Sequence, residues 1–250
     1  MRHITLIVLM SILLSSCHSL YYYAQFDTNN PYIERDEKNN FVVTGGHVKL
    51  TFSFHGKDAQ SKIIIENIGN ENIYINWEDS WIYQNERNSQ SYKYSYSHRL
   101  TNNTNIENKL TLIEPGEKTT QYLLKLKNIP LHKIDNELFT EDSIAFKHKG
   151  MANVKSSSFK EYDSPFNLKY TIAVTIGENT ENTHMFEGDF FIANVSKAND
   201  INANRLAPFH QKDGSFFYYE EEISNPFKES LGDLITFAGS LIMILIALYA

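Results

Sequence analysis

Cys17 has the most distinctive chemistry in this sequence, because it is the only cysteine of the chain. A lone cysteine cannot form an internal disulfide bond, so in a secreted protein its thiol usually serves another purpose. It directly follows Leu14, Ser15 and Ser16. The spacing therefore identifies Cys17 as a candidate modification site.

The residues before Cys17 are typical of a signal peptide. A basic start at Arg2 and His3 precedes the apolar run Ile4–Leu14, and this combination is typical of a secretory leader. The run is too short for an ordinary membrane-spanning helix. We therefore predict that residues 1–16 form an N-terminal signal helix.

The segment Leu14-Ser15-Ser16-Cys17 resembles the lipobox of bacterial lipoprotein signals, and the resemblance covers the whole leader. It implies cleavage before Cys17 and attachment of acyl chains, such as palmitate, to that cysteine. The alternative is an ordinary signal peptide with a chance cysteine near its cut site.

No other residue pattern predicts a reaction. The nine histidines have no zinc-site spacing, and His132 with Asp135 lacks a third ligand. Ser143 and Ser164 lie in no nucleophile-elbow pattern, and no glycine-rich phosphate loop occurs. The acidic pair Glu78-Asp79 and the acidic run 220–222 are more typical of a solvated surface than of a catalytic pair of carboxylates. We predict no catalytic residue, no metal and no cofactor.

The charge of the chain argues against nucleic acid as a partner. The formal net charge is -7 at pH 7, and removal of Arg2 with the leader makes it more negative. Repulsion from phosphate groups opposes such binding.

Alternating apolar and polar residues predict strands over much of the chain after residue 41. The predicted strands are 48–54, 62–66, 73–77, 81–83, 92–97, 109–113, 119–127, 168–176 and 185–195. The polar turn 67–72 predicts a hairpin or bent pair of the strands beside it, and Glu114-Pro115-Gly116-Glu117 predicts another turn. Residues 135–146 fit either a short helix or a loop. Strands separated by turns predict an all-β fold, an antiparallel two-sheet sandwich.

Three features resemble the immunoglobulin-like sandwich lipoproteins of bacterial envelopes. They are the Asn-rich turn 67–72, the strand that ends at Trp77, and the turn Ile113-Glu114-Pro115-Gly116. The resemblance covers roughly residues 45–195 and implies a fold more than a function. Trp77 is the candidate for the buried tryptophan of that fold, with Trp81 as its competitor.

The C-terminal residues predict a second membrane anchor. The uncharged stretch Leu234–Ala250 would form a helix of about 25 Å at ~1.5 Å per residue, slightly short of a ~30 Å hydrocarbon core. We predict a transmembrane helix, although no basic residue follows it. The alternative is that residues 234–250 pack on the domain.

These predictions divide the chain into five parts. They are a lipoprotein signal peptide (1–16), a tether (17–40), a β-sandwich domain (41–196), an irregular polar segment (197–230) and a membrane helix (231–250). Tyr21 to Tyr23 are assigned to the tether, where they either rest at the headgroup level of the membrane or pack on the domain. In the segment 197–230, residues 216–222 predict a final strand or docked arm, with an interaction patch as the alternative.

The predicted function is that of a non-enzymatic binding or scaffolding lipoprotein. Its folded domain lies on the periplasmic side of the cytoplasmic membrane, with the outer membrane as the other location because His18 follows the cysteine. Residues 92–97 predict either an edge strand or an exposed aromatic face, because the tyrosine hydroxyls need partners if buried. Tyr92, Tyr94 and Tyr96 form the candidate interaction surface for an envelope protein, because unpaired strand edges recruit other strands. The alternative is a membrane-tethered hydrolase whose residues meet only in three dimensions.

A different interpretation takes the apolar tail as a eukaryotic glycolipid-anchor signal that follows small residues near Ser224. Asn102-Asn103-Thr104 and Asn194-Val195-Ser196 would then be glycosylation sites.

Overall fold

The computed structural model describes residues 18–88, 91–99, 109–126, 129–177 and 182–223. The predicted signal helix and the predicted membrane helix lie outside these residues. Tyr21–Tyr219 form one compact unit, and Met1–Leu20 with Glu220–Ala250 form another. No helix in the described part of the chain is both long and apolar enough to cross a bilayer.

The described chain is built mainly from strands. The strands are β1 His18–Asp27, β2 Ile33–Arg35, β3 Phe41–Gly45, β4 Val48–Ser53, β5 Gly56–Lys57, β6 Gln60–Asn67, β7 Ile73–Asn88, β8 Ser91–Arg99, β9 Leu110–Ile113, β10 Lys118–Lys125, β11 Thr140–Ala145, β12 Met151–Ser158, β13 Phe166–Ile176, β14 Thr183–Asn199 and β15 Phe216–Ile223. One short α-helix, α1 Ala207–His210, and three 3-10 turns at Leu131–Lys133, Asn136–Leu138 and Ala203–Arg205 complete the elements.

The strands form two sheets, as an all-β sandwich requires. The larger sheet has ten strands in the order β5-β15-β1-β14-β13-β7-β8, with β9 paired to β7 and the β11–β12 hairpin paired to β14 through β12. The smaller sheet has the order β10-β6-β4-β3-β2. The pairs in the smaller sheet are antiparallel, whereas β5 and β15 run parallel.

Aromatic side chains fill the space between the sheets. Phe52 of β4 lies 5.5 Å from Tyr170 of β13 and 5.4 Å from Phe190 of β14, measured between ring centroids. Phe41 of β3 lies 4.8 Å from Phe190. Full burial of such side chains contributes roughly 1.5–3 kcal/mol each. Trp77, the predicted core tryptophan, is fully buried, while Trp81 is half-buried.

The buried hydroxyl of Tyr170 has a partner in the smaller sheet. It donates to Ser61 Oγ at 2.8 Å, and Ser61 Oγ donates to the Leu124 carbonyl at 2.9 Å. Burial raises the pKa of Tyr170 well above its ordinary value near 10. The tyrosine therefore stays neutral and connects the two sheets.

The prediction of a tether over residues 17–40 is wrong, because His18–Asp27 is a strand inside the larger sheet. Tyr21, Tyr22, Tyr23, Ala24 and Phe26 are all buried. A strand covered on both faces lacks the apolar and polar alternation that identifies a half-exposed strand, so the pattern was not recognisable.

Of the two interpretations of residues 67–72, a hairpin or a bent pair of strands, the hairpin is wrong. Its first strand, β6, belongs to the smaller sheet and its second, β7, to the larger one, so this turn joins the two layers. The turn at Gly116 exists, with φ +76°, and it likewise connects β9 of one sheet to β10 of the other. The predicted strands 168–176 and 185–195 lie within β13 and β14, which pair antiparallel with each other.

Two further segments differ from the prediction. Residues 135–146, predicted as a short helix or a loop, contain the 3-10 turn Asn136–Leu138 and then strand β11. The segment 197–230, predicted as irregular before residue 216, contains the 3-10 turn Ala203–Arg205 and α1. The final strand predicted from Phe216 exists as β15, with Phe216 and Phe217 buried.

Candidate functional site

The predicted modification site lies outside the described residues. Cys17 and the preceding Leu14, Ser15 and Ser16 are therefore given no structural role. The predicted interaction residues Tyr92, Tyr94 and Tyr96 belong to β8, for which only the backbone placement is described.

Strand β8 lies at one end of the larger sheet, as predicted for an edge strand. It pairs antiparallel with β7, with Tyr96 opposite Gln84 and Tyr94 opposite Glu86. The pairing shifts between Glu86 and Arg87. Among the described strands, β7 is the only neighbour of β8.

A bulge in β7 orients the residues of that strand that pair with β8. Thr171 of β13 lies opposite Trp81, whereas Ala173 lies opposite Asn76, so four residues of β7 bulge out between these pairs. Ser80 Oγ donates to the Asn76 carbonyl at 2.6 Å and accepts from the Ala173 N–H at 3.0 Å. These bonds satisfy buried groups that the interrupted ladder would otherwise leave without partners.

A cleft of about 480 Å³ lies where three turns of the unit meet. Its lining consists of Gly45, Gly46, His47, Glu71, Ile176, Asn182, His184, Met185 and Phe186. The Ile68 N–H donates to the His47 carbonyl at 2.8 Å, and the Gly177 N–H donates to the Asn72 carbonyl at 2.8 Å. These backbone bonds tie the three turns together and hold the cleft in shape.

Glycine at two positions permits this arrangement. A Cβ at Gly69 would lie 2.2 Å from His47 Nδ1, so only glycine lets the imidazole lie against this backbone. Gly177 has φ +69°, a conformation that side chains rarely adopt. The imidazole of His47 is thus supported by the turn after β6.

The polar groups of this cleft could transfer protons. His184 Nε2 lies 2.9 Å from Asn182 Oδ1, and Glu71 adds a carboxylate to the same lining. Imidazole and carboxylate groups together can activate a water molecule. Within the described ranges, no group of three or more His, Cys, Asp or Glu side chains could hold a metal ion.

A second cleft, of about 270 Å³, follows strand β11. Its walls are Asp142, Ser143, Ile144 and Ala145 of β11, with Tyr23, Gln25, Asn194, Ser196, Pro208 and Phe216 from other elements. Ser196 Oγ lies 2.7 Å from Ser156 Oγ and donates to Asn194 Oδ1 at 3.2 Å. We call this cleft the β11 groove. Its strand was not predicted, so no sequence signal indicated the groove.

An ion network lies beside a smaller cavity of about 140 Å³. Lys169 Nζ lies 2.8 Å from Glu187 and 3.7 Å from Asp189. The hydrogen bond to Glu187 raises the pKa of Lys169, and burial raises that of Asp189. The Asn167 Oδ1 of this cavity has no hydrogen-bond partner in the described region, but it also has essentially no exposed surface. A ligand in the cavity could not reach that oxygen, so the network is structural.

Other residues considered for chemistry have local structural roles. Asp135 accepts a hydrogen bond from the Glu137 N–H at 3.1 Å, and Asp79 accepts one from Asn76 Nδ2 at 2.7 Å. Ser164 is buried and donates to the Phe166 and Ile192 carbonyls.

The chain matches no protein-family model, no curated protein sequence and no solved structure. The geometry alone therefore has to carry any functional interpretation.

Proposed function

We propose that this protein is an envelope-anchored lipoprotein that binds another envelope protein through the open edge of β8, without catalysing a reaction. The observation that carries the proposal is the position of β8 at the end of a ten-stranded sheet, paired on one side by β7. A strand in that position offers N–H and C=O groups to an extended segment of a partner.

The composition of β8 supports an aromatic contact with the partner. Tyr92, Tyr94 and Tyr96 alternate with Lys93, Ser95 and Ser97, so the tyrosines occupy every second position of the strand. Tyrosine is enriched at protein interfaces because its ring adds apolar contact area while its hydroxyl can hydrogen-bond. Main-chain hydrogen bonds would supply affinity and the tyrosines would add selectivity.

The test is a pull-down from crosslinked membranes with Tyr92, Tyr94 and Tyr96 all replaced by serine. The matched control replaces three exposed tyrosines elsewhere, Tyr32, Tyr122 and Tyr162. We expect a partner that the wild type and the control retain and the β8 variant loses. A set of captured proteins that is identical for all three proteins would contradict a role for β8.

Membrane attachment is the second part of the proposal. Acyl chains on Cys17 would hold the domain at the periplasmic face of the cytoplasmic membrane, with the outer membrane as the alternative, and residues 231–250 would add a membrane helix. Intact mass measured on protein purified from membranes tests this part. We expect a chain that begins at Cys17, carries acyl chains and ends at Ala250, and we expect Cys17→Ala to lose the acyl mass. A wild-type mass without acyl chains would reject the lipoprotein assignment.

Kinship with immunoglobulin-like sandwich lipoproteins is also part of the proposal. The buried Trp77 and the chain crossings between sheets after β6 and β9 support it. The ten and five strands of the two sheets exceed the seven to nine strands of an immunoglobulin domain. The kinship therefore implies added strands, and an experimental structure without a seven-strand immunoglobulin core would exclude it.

The cleft that contains His47, Glu71 and His184 favours an alternative function, a membrane-tethered hydrolase. None of the described residues that line it is a serine or cysteine, so this enzyme would use an activated water molecule as its nucleophile. Assays with ester and amide substrates test the alternative. The hydrolase function requires that the wild type hydrolyses one of these substrates. The rate should fall at least about 100-fold in His47→Ala or His184→Ala, the range expected for removal of a general acid or base.

A further inference from the structure

We infer that the tip of the β11–β12 hairpin is a docking surface for anionic lipid headgroups, which orients the domain on the membrane. We call this surface the hairpin tip. It consists of the turn 147–150, Met151 and the neighbouring Arg205. The inference rests on the proposed membrane attachment, because a contact of this size is useful to a domain that is already held at a bilayer.

Positive charge is concentrated at the hairpin tip, although the chain as a whole is acidic. Residues 143–160 and 201–212 contain no Asp or Glu, whereas the whole chain has 30 acidic residues against 23 Lys and Arg. Lys147, Lys149 and Arg205 fall within these two segments, and all three are exposed. The tip is therefore attracted by an anionic bilayer that repels the acidic remainder of the chain.

Acidic residues close in sequence do not cancel this charge. Glu141 lies 3.4 Å from Lys155 Nζ, so its carboxylate is paired with a lysine outside the tip. Asp142 precedes Lys147 by five residues, about 17 Å along an extended strand at ~3.3 Å per residue. That separation exceeds the Debye length of about 8 Å at physiological ionic strength. Salt therefore screens the attraction of the tip to Asp142, and the tip keeps its charge for a surface in contact with it.

Backbone and ring contacts bring the two basic segments together. The Lys147 N–H donates to the Arg205 carbonyl at 2.7 Å, and Phe146 forms an antiparallel bridge with Leu206. The Arg205 guanidinium lies over the Phe146 ring, 5.2 Å from its centroid. The Phe146 N–H closes the turn on the Gly150 carbonyl at 3.1 Å, and Gly150 has φ +103°. Positive groups from segments distant in sequence are thus held side by side by the fold.

An exposed methionine adds an apolar contact to the hairpin tip. Met151 follows the turn directly, lies opposite Ala145 and is 54% exposed, while the next residue, Ala152, is buried. Basic residues beside an exposed apolar side chain are typical of surfaces that bind at the boundary between headgroups and acyl chains. An acidic peptide would pair with the charges but would leave the methionine without a function, so the tip favours a lipid surface.

The expected strength of the contact fits a role in orientation. Each Lys or Arg near an anionic bilayer strengthens adhesion roughly fivefold, so three of them strengthen it roughly 100-fold. This is too little to hold a free protein at a membrane. It is enough to favour one orientation of a tethered domain, because the tether keeps the tip at a high effective concentration near the bilayer.

The experiment couples the full chain to vesicles through Cys17, its only thiol, with a maleimide lipid. The protein is made without acylation, so the tethering does not depend on the lipoprotein assignment. One set of vesicles is phosphatidylcholine alone, and the other contains roughly one-third phosphatidylglycerol. Acetylation of individual lysines, followed by mass spectrometry, measures which side chains the bilayer covers.

Lysines elsewhere on the same molecule provide the internal control. Lys118, Lys125 and Lys133 are exposed and lie outside the tip. We expect the anionic vesicles to slow acetylation of Lys147 and Lys149 at least about threefold relative to the neutral vesicles, and to change the control lysines little. Inorganic phosphate in place of the anionic lipid should give no protection, because it offers no surface.

Matched substitutions test whether the charges cause the protection. Lys149→Gln and Arg205→Gln should each lower the protection of Lys147 at least about twofold, whereas Lys125→Gln, with the same change of charge as Lys149→Gln, should leave it unchanged. Thermal melts verify that the variants fold.

Several outcomes would overturn the inference. They are equal acetylation of the tip lysines on both kinds of vesicle, equal protection of tip and control lysines, and protection of the tip by inorganic phosphate. Protection by polyglutamate but not by the anionic vesicles would assign the tip to an acidic protein partner instead. The mass of the native protein tests its own membrane attachment separately, so either proposal can fail without the other.

Discussion

Strands β8 and β11 each pair with one strand in the described part of the chain, yet their other sides differ. β8 is a nine-residue strand at the end of the main order of the larger sheet. β11 is a six-residue strand of a hairpin, and it lies beside a cleft of about 270 Å³ with buried aromatic walls. Part of its edge is already occupied by the Arg205 carbonyl.

This difference decides which of the two strands can pair with a partner. The end position of β8 leaves its main-chain groups without a second partner among the described strands. The edge of β11 is instead engaged by residues 205–207 of the same chain. Strand addition requires unpaired main-chain groups, so of these two strands β8 is the better candidate for it.

Loss of the groove wall should have the largest effect on stability. Phe216 is 2% exposed and belongs to the hydrophobic cluster that includes Tyr21, Tyr23 and Leu206. We expect Phe216→Ala to lower the free energy of unfolding by about 3–5 kcal/mol, because it creates a cavity in that cluster. Chemical denaturation measures the loss, with Tyr122→Ala, at an exposed position on β10, as the control. A loss below about 1 kcal/mol would show that the groove side is not part of the cooperative core.

Disruption of the bulge in β7 should lower stability and act mainly on β8. Ser80→Ala removes the acceptor of the buried Ala173 N–H, so we expect a loss of about 1–3 kcal/mol in unfolding free energy. It should also weaken binding at β8, because the bulge orients the half of β7 that pairs with β8. The control is Ser53→Ala, a buried serine whose side chain makes no hydrogen bond within the described chain. Equal losses of unfolding free energy for Ser80→Ala and Ser53→Ala would show that the hydrogen bonds of Ser80 do not add to stability.

Much of the fold could be predicted from the sequence where strands have one buried face. β4 alternates Val48, Leu50 and Phe52 with polar residues, and its burial follows that alternation up to Phe52. β1 could not be predicted in the same way, because the consecutive residues from Tyr21 to Ala24 are buried on both faces by neighbours distant in sequence. The sheet to which a strand belongs is also set by long-range pairing, which explains the wrong hairpin at residues 67–72.

The candidate sites also differ in whether they depend on a local pattern or on contacts between residues distant in sequence. β8 could be predicted as an edge strand, because its three tyrosines carry hydroxyl groups that need partners in a core and alternate with polar residues. The β11 groove could not, since Tyr23, Asn194 and Phe216 reach it from three distant strands. The cleft with His47 and His184 depends in the same way on contacts between turns separated by more than 100 residues.

A binding test with a variant of each strand sharpens the comparison of the two edges. Replacement of Tyr92, Tyr94 and Tyr96 by serine should weaken capture of the β8 partner about tenfold, equivalent to ~1.4 kcal/mol. Ala145→Pro should leave that capture unchanged, because β11 is paired with β12 and bridged to Leu206. Titration of the partner against both variants measures this, and an equal loss for the two would mean that the effect is not specific to β8.

The smallest expected effect is a pH dependence on the groove side. His55 lies 5.0 Å from Phe209 of α1 between ring centroids, and its Nδ1 lies 3.2 Å from the Asp213 carbonyl. Burial lowers the pKa of His55 below its ordinary value near 6.5, and the interactions with Asp213 oppose this only in part. The unfolded chain therefore binds the proton more readily than the folded chain, so the contribution of His55 to stability is present above pH 6.5 and is lost as the pH falls through its folded pKa.

Denaturation of the wild type and His55→Gln at several pH values between 7.5 and 5 measures this contribution. We expect the stability difference between them to shrink as the solution is acidified. Amides of α1 and the start of β15, corrected for the intrinsic pH dependence of exchange, should lose protection at low pH, whereas those of β8, at the opposite end of the strand order, should not. Equal loss of protection at β8 would mean that acidification acts on the whole unit, and the two edges would then share one stability instead of two local ones.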